Sequence, residues 1–165
     1  MKHPEIVRPT YRWFSGDWFR DDPCTDLTTD PLWYGPDIVE KILSCRTTQE
    51  IGCHGFSHMI IGDPGCSPEC FDSELRACQE AVRPWDLTLK SFVFPRNAIG
   101  HLDVLATSGF TAFRGVVPTW YRRLPGFLQR ISRGLDSALP VPPLTAQPGR
   151  WGTLCDFPAT CFYQH

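Results

Sequence analysis

Two histidines, His54 and His58, have the spacing of a metal-binding pair. They lie in the segment 50–58, Glu-Ile-Gly-Cys-His-Gly-Phe-Ser-His, and the whole chain contains only five histidines. Side chains four residues apart on a helical turn share one face, so their imidazoles can reach one metal ion. The same spacing also suits a packed loop in which each ring hydrogen-bonds a backbone carbonyl.

The residues before the pair predict where it lies. Residues 50–54 have the pattern of a short strand, which places His54 and His58 on the loop or first turn after it. Proteins of the α/β class commonly gather ligands and catalytic groups at this end of parallel strands. A divalent-metal site at the mouth of a sheet is therefore one prediction, and a structural pair in a packed loop is the other.

Helix and strand signals alternate along residues 35–165. A proline suited to a first helical turn opens a helix at Pro36, and a capping serine followed by proline opens another at Ser67. The pattern predicts helices at 36–45, 67–83, 100–109 and 120–139, strands at 50–54, 89–94, 110–115 and 151–157, and a proline-rich linker at 140–149. This alternation predicts an α/β fold of about four parallel strands, too few to close a barrel.

Residues 1–34 differ in composition from the rest of the chain. Aromatic residues are dense there, prolines interrupt the segment, and no helical or strand periodicity persists. The aromatic residues are Tyr11, Trp13, Phe14, Trp18, Phe19, Trp33 and Tyr34. We predict a long ordered loop that covers an apolar surface, followed by a βα domain over 35–165. The aspartates of the loop are expected to act as turn residues and helix caps.

The composition excludes several classes of protein. Of 165 residues, 42% are hydrophobic and 21% are charged, which is typical of a globular chain. The net charge is -2 and no basic run is present, so no nucleic-acid partner is predicted. No apolar stretch approaches the roughly 20 residues that a membrane span needs. Residues 1–5 lack the apolar core of a secretory signal, so we predict a cytoplasmic protein.

Eight cysteines allow several interpretations. An even number suits a disulfide framework, whereas a cytosolic chain would keep free and mostly buried thiols. Cys66 and Cys70 follow the two histidines closely in sequence, so a structural zinc site or a cysteine-based redox module is a further alternative. Cys70 and Cys78 are also expected on or beside the buried face of the helix that begins at Ser67.

The segment 50–58 resembles the second motif of the polysaccharide deacetylases, the family defined by the NodB homology domain. Residues 92–97, Phe-Val-Phe-Pro-Arg-Asn, stand where the third motif of that family lies. Residues 105–114 resemble the helix, the Gly-Phe pair and the strand that follow it. The similarity covers roughly residues 35–115 and implies a partial (β/α) barrel of the deacetylase type.

The resemblance implies a metal-dependent hydrolase that removes acetyl groups from an N-acetylated carbohydrate. It makes His54 and His58 ligands of a divalent metal, usually zinc, and neutral imidazoles suit zinc. It makes Arg96 a catalytic residue that orients a carboxylate through a charge-assisted hydrogen bond.

The chain departs from the family pattern in three places. No strand ending in paired aspartates, which would supply the catalytic base and the third metal ligand, precedes His54, and Asp21-Asp22 lacks that context. Pro95 and Arg96 stand in the reverse of the family's order, and the late motif that supplies a catalytic-acid histidine is not evident. We therefore expect a fragment of a longer domain, with weak metal binding and impaired activity.

The aromatic segment offers an alternative function. Tryptophan rings stack well on sugars, and Trp13, Trp18 and Trp33 would serve this purpose if they are exposed. The alternative is therefore a non-catalytic domain that binds glycan or protein through residues 1–34. Whether the chain is an enzyme stays open at this point.

Overall fold

The computed structural model describes residues 5–116, 125–128, 131–132 and 147–158. Three α-helices are formed, α1 (Pro36–Leu43), α2 (Pro68–Val82) and α3 (Leu102–Thr107), and four strands, β1 (Ser91–Val93), β2 (Ala112–Gly115), β3 (Gly149–Trp151) and β4 (Leu154–Pro158). Short 3-10 turns occupy Arg83–Trp85 and Pro95–Asn97. The fold is mixed α/β, as predicted, with an open and mostly parallel sheet.

The sheet has the order β1-β2-β4-β3. Strands β1 and β2 are parallel with Phe92 opposite Phe113, and β2 and β4 are parallel with Phe113 opposite Asp156. Strand β3 pairs with β4 in the antiparallel direction. The three parallel strands therefore follow one another across the sheet in chain order.

The predicted strand at 50–54 is reduced to a single paired residue, Cys53. Its N–H donates to the Ser91 carbonyl at 2.9 Å and its carbonyl accepts from the Val93 N–H at 2.7 Å, which forms one parallel bridge beside β1. The bridge does not extend because β1 is only 3 residues long and because Gly55, with a φ of 91°, turns the chain away. His54 therefore leaves the edge of the sheet directly after this bridge.

The predicted last strand at 151–157 is in fact the second half of a hairpin. Its first residue, Trp151, ends β3, and Gly152 turns the chain with a φ of 55° before β4 begins. A two-residue connection with positive φ is typical of antiparallel hairpins, so β3 runs antiparallel to β4 and was not predicted as a separate strand. Strand β4, which covers most of the predicted strand, is parallel to β2 as predicted. Residues 126–128 and 131–132 are helical, whereas most of the predicted helix 120–139 and most of the linker 140–149 lie outside the described residues.

The other helix predictions are confirmed to within a few residues. The Ser67 hydroxyl accepts the Cys70 N–H at 3.3 Å at the start of α2, as a capping serine should. Phe71 and Cys78 lie on the buried face of the same helix. Gly109, with a φ of 86°, follows α3 in the left-handed conformation that ends many helices.

Aromatic rings form the centre of the core between α2 and the sheet. The ring of Phe71 meets that of Phe92 edge-on at 5.3 Å, and Phe92 meets Phe94 at 4.9 Å. Phe94 in turn meets Phe113 at 6.0 Å. Edge-to-face contacts of this kind fix ring orientation in addition to burying apolar area. They hold β1 and β2 against α2.

The aromatic segment packs onto this core, as predicted. Ile6 and Tyr11 are buried in the same hydrophobic cluster as α2 and β1, and Trp18 is partly buried against it. Among residues 5–34 the structure has turns but no helix or strand. Asp17 and Asp22 accept backbone N–H groups two residues ahead, which confirms their predicted role as turn residues.

No helix in the described part of the chain is both long enough and apolar enough to cross a bilayer.

Replacement of Leu75 by alanine should lower the free energy of unfolding by about 2–5 kcal/mol, because it leaves a cavity in the core. Leu75 is 0% exposed, whereas Leu32 is 103% exposed and supplies the matched control. Leu32→Ala should change the free energy by less than about 0.5 kcal/mol. Urea denaturation followed by tryptophan fluorescence measures both variants. Equal losses would contradict the packing of α2 described above.

Candidate metal centre

The structure brings His54 and His58 together on the loop that follows Cys53. Their ring centroids lie 5.0 Å apart with the ring planes inclined at 75°. Both residues are exposed, so the space beside the rings is open to solvent. Two imidazoles at this separation can bind one cation. Two histidines with separate structural roles in a loop would have no need to lie this close together.

A backbone carbonyl fixes the His54 ring. Its Nδ1 atom lies 2.8 Å from the Val93 carbonyl oxygen at the end of β1. Because a carbonyl only accepts hydrogen bonds, this contact assigns the proton to Nδ1 and leaves the Nε2 lone pair free. Metal-binding histidines commonly donate their second ring nitrogen to a carbonyl in this way, which sets both the tautomer and the ring orientation.

His58 is held in an unfavourable backbone conformation. Its φ is 59°, in the left-handed region that non-glycine residues seldom occupy. The pKa of His58 is lowered by partial burial of its ring, by His54 and by the positive charge of Arg96. The ring is therefore neutral at neutral pH, the state in which it can bind a metal ion.

Ser57, between the two histidines, has every polar group engaged. Its N–H donates to Glu74 Oε1 at 2.6 Å and its hydroxyl donates to Glu74 Oε2 at 2.8 Å. Its carbonyl accepts from the indole N–H of Trp18 at 3.0 Å. The side chain of Glu74 therefore connects the loop to α2, and the side chain of Trp18 connects it to the aromatic segment.

Glu74 is a fully buried carboxyl group on α2, with 0% exposure. Burial raises its pKa, and hydrogen bonds from the Ser57 N–H and hydroxyl and from the backbone of Phe56 and Met59 oppose that shift. The carboxyl oxygens of Glu74 therefore have hydrogen-bond partners despite their burial. Sequence analysis assigned Glu74 no role, and no local signal distinguishes it from the surface acids of the same helix.

Arg96 lies next to the site but contacts an aromatic ring. It occupies the 3-10 turn after β1 with a φ of 54°, and its guanidinium carbon is 5.5 Å from the centre of the Trp13 ring. The Trp13 indole N–H donates to Asp63 at 2.7 Å, which fixes the ring under the cation. The structure therefore gives Arg96 a cation–π contact, and its predicted partner carboxylate stays a prediction.

A cluster of aromatic side chains from the N-terminal segment borders the loop. Tyr11 stacks on Trp13 at 5.0 Å and meets Trp18 edge-on at 4.9 Å. The Tyr11 hydroxyl accepts the Ile60 N–H at 2.7 Å. The density of aromatic residues marked this segment in the sequence, but without periodicity it could not be assigned a packing partner.

No third ligand joins the pair within the described ranges. Among those residues no group of three or more histidine, cysteine, aspartate or glutamate side chains could hold a metal ion. Asp21 and Asp22 serve local contacts instead, since Asp21 pairs with Arg20 at 3.2 Å and Asp22 accepts the Cys24 N–H at 2.8 Å. The described site therefore offers two imidazole nitrogens and leaves other positions around a cation open.

Cys66 and Cys70, the cysteines of the alternative zinc site, do not extend the histidine pair among the described residues. Cys66 and Cys70 are buried, the Cys70 thiol lies 3.5 Å from the Arg8 carbonyl, and neither joins His54 and His58 in a metal-binding group of the described residues. Burial raises the pKa of Cys66 to about 12, so this thiol is a poor metal ligand and a poor nucleophile at neutral pH.

Comparison of the chain with models of known protein families, with curated proteins and with solved structures gave no match.

The described donor set consists of two imidazole nitrogens. His54 has its tautomer fixed with Nε2 free, and His58 is neutral at neutral pH. Imidazole nitrogen is a preferred zinc donor.

Removal of the Arg96 charge should raise the pKa of His58, because a nearby positive charge disfavours protonation of the ring. NMR titration of the imidazole C–H signals in Arg96→Met measures this shift. Arg83→Met is the control, because Arg83 is exposed at the end of α2 and pairs with Glu80 at 2.8 Å. An unchanged His58 pKa in Arg96→Met, or an equal shift in the control, would contradict the described proximity.

Proposed function

We propose that this protein is a metal-dependent hydrolase of the polysaccharide deacetylase type, which removes acetyl groups from an N-acetylated carbohydrate. The observation that carries the proposal is the convergence of His54 and His58, with ring centroids 5.0 Å apart and open to solvent. The pair lies in the segment 50–58, which resembles the family's metal-binding motif. It stands at the carboxyl side of the Cys53 bridge, the end of a parallel sheet where chemistry is usually found.

We also propose that the sheet corresponds to part of a deacetylase-type (β/α) barrel. Cys53, β1, β2 and β4 are parallel neighbours in chain order, which is how strands succeed one another around such a barrel. A doubly wound sheet would instead reverse its strand order at some point. The edge-on contact of Phe71 with Phe92 also places α2 against one face of β1, as a barrel requires of its outer helices.

The proposed reaction is hydrolysis of an amide bond. One water molecule is consumed, the C–N bond breaks, and acetate and a free amino sugar are released. His54 and His58 would hold the metal, and a bound divalent cation lowers the pKa of a water molecule and polarises a carbonyl. Arg96 would contribute a positive charge beside His58 that attracts a carboxylate, either of the protein or of the released acetate.

Two protein ligands favour weak metal binding and slow turnover. Catalytic zinc normally has three protein ligands and one open position. The described residues supply two, so the affinity for zinc should fall below that of a three-ligand site. This agrees with the expectation of impaired activity.

Substitution of either histidine should abolish one-to-one zinc binding or weaken it by more than about tenfold, since even the loss of a residue that only supports a ligand costs about that much. Isothermal titration at pH 7.5 measures wild type, His54→Ala and His58→Ala. The control is His101→Gln, because His101 lies before α3 and its ring bonds the Cys66 carbonyl instead. Stoichiometric binding that survives His58→Ala would refute the site.

Acetate release tests the reaction itself. With saturating zinc, the protein should release acetate from an N-acetylated oligosaccharide, and His54→Ala and His58→Ala should not. Release that persists in both variants would show that the reaction does not use the pair.

A second candidate is a non-catalytic domain that binds glycan through the aromatic segment. It is favoured by the exposure of Trp13, at 52%, and of Trp33, at 60%, because an exposed indole can stack on a sugar ring. Glycan binding that is lost in Trp13→Ala, without acetate release at saturating zinc, would support this function over the hydrolase.

A further inference from the structure

The backbone conformation of the loop between the two histidines is not stabilised by the loop alone. Gly55 and His58 both have positive φ, at 91° and 59°, and neither belongs to a helix or a strand. A non-glycine residue persists in this conformation only where its surroundings hold it there. The relative position of the two rings must therefore depend on groups outside the loop.

Glu74 makes several polar contacts to this loop. Both of its carboxyl oxygens accept from Ser57, one from the N–H and one from the hydroxyl. The loop also passes close to it at Gly55, where a Cβ atom would stand 3.0 Å from Glu74 Oε1. The carboxyl group thus fills the inner side of the turn that leads from His54 to His58.

We infer that Glu74 is a positioning residue for the proposed metal site, because it fixes Ser57 and thereby the direction in which His58 leaves the loop. The inference rests on the proposed function for the identity of the bound metal ion, whereas the positioning of His58 by Glu74 does not depend on it. The two bonds restrain both the backbone and the side chain of Ser57, so the residue cannot rotate without leaving buried groups of Glu74 unpaired. Groups that orient metal ligands in this indirect way typically change metal affinity by about 10–100-fold when they are removed.

The test compares two substitutions of Glu74 with a matched substitution on the same helix. Glu74→Leu removes both acceptors at similar volume, whereas in Glu74→Gln the amide oxygen still accepts the Ser57 N–H and the amide nitrogen can donate to the hydroxyl. Glu80→Leu is the control, because Glu80 is an exposed acid of α2. Each variant is measured by zinc titration and by the NMR cross-relaxation between the His54 and His58 ring protons.

We expect Glu74→Leu to lose the signal between the rings and to bind zinc about 10–100-fold more weakly. Glu74→Gln should keep the signal and stay within a few-fold of wild type, which is rescue by the conservative variant, and Glu80→Leu should match wild type. A purely structural role for Glu74 would lower stability but leave both measurements unchanged under native conditions. That result in folded Glu74→Leu would overturn the inference.

Two further outcomes are distinguishable. If wild type binds no zinc, the proposed function fails, and the ring-to-ring signal of the variants still tests the positioning by itself.

If Glu74→Leu does not fold, Ser57→Ala replaces it, since that variant removes only the hydroxyl bond and should weaken zinc binding about two- to tenfold. Its control is Ser73→Ala, whose hydroxyl bonds the Cys70 carbonyl. Unchanged affinity and ring signal in Ser57→Ala would overturn the inference.

Discussion

A buried carboxyl group, that of Glu74, holds the candidate site to the body of the protein. Burial of such a group is costly unless donors surround it, and here the donors come from the loop that carries the histidines. The Ser57 N–H and hydroxyl supply hydrogen-bond donors to Glu74, and the carboxyl oxygens of Glu74 are the acceptors for both groups. Because Phe71 and Leu75 fix α2 in the core, the packing of the helix extends through Glu74 to Ser57.

The loop is also held from the opposite side. Trp18 donates to the Ser57 carbonyl, and the Val93 carbonyl fixes the His54 ring. Arg96 contacts the Trp13 ring, and its positive charge helps to lower the pKa of His58. These contacts explain how two imidazoles stay ordered and exposed at once. In the described residues nothing else with a metal-binding side chain completes the set.

Local signals in the sequence were enough for the elements whose stability is mainly local. Ser67 and Pro68 predicted the start of α2, and the spacing of its apolar residues predicted its buried face. Residues 50–54 and β3 were not predicted correctly, because a strand is defined by its partner and not by its own residues. Cys53 finds a partner of only 3 residues, and Trp151 pairs backward across a hairpin rather than forward in a parallel sheet.

The sequence by itself determined the alternation of helices and strands and the spacing of His54 and His58, because both are properties of neighbours along the chain. Only the tertiary structure decided that the two rings meet edge-on and that Glu74 and Trp18 hold the residue between them. Those contacts join residues 17 and 39 positions apart, so they depend on how α2 and the aromatic segment pack against the loop. No local pattern carries that information, since the same residues would look identical in a chain that packed differently.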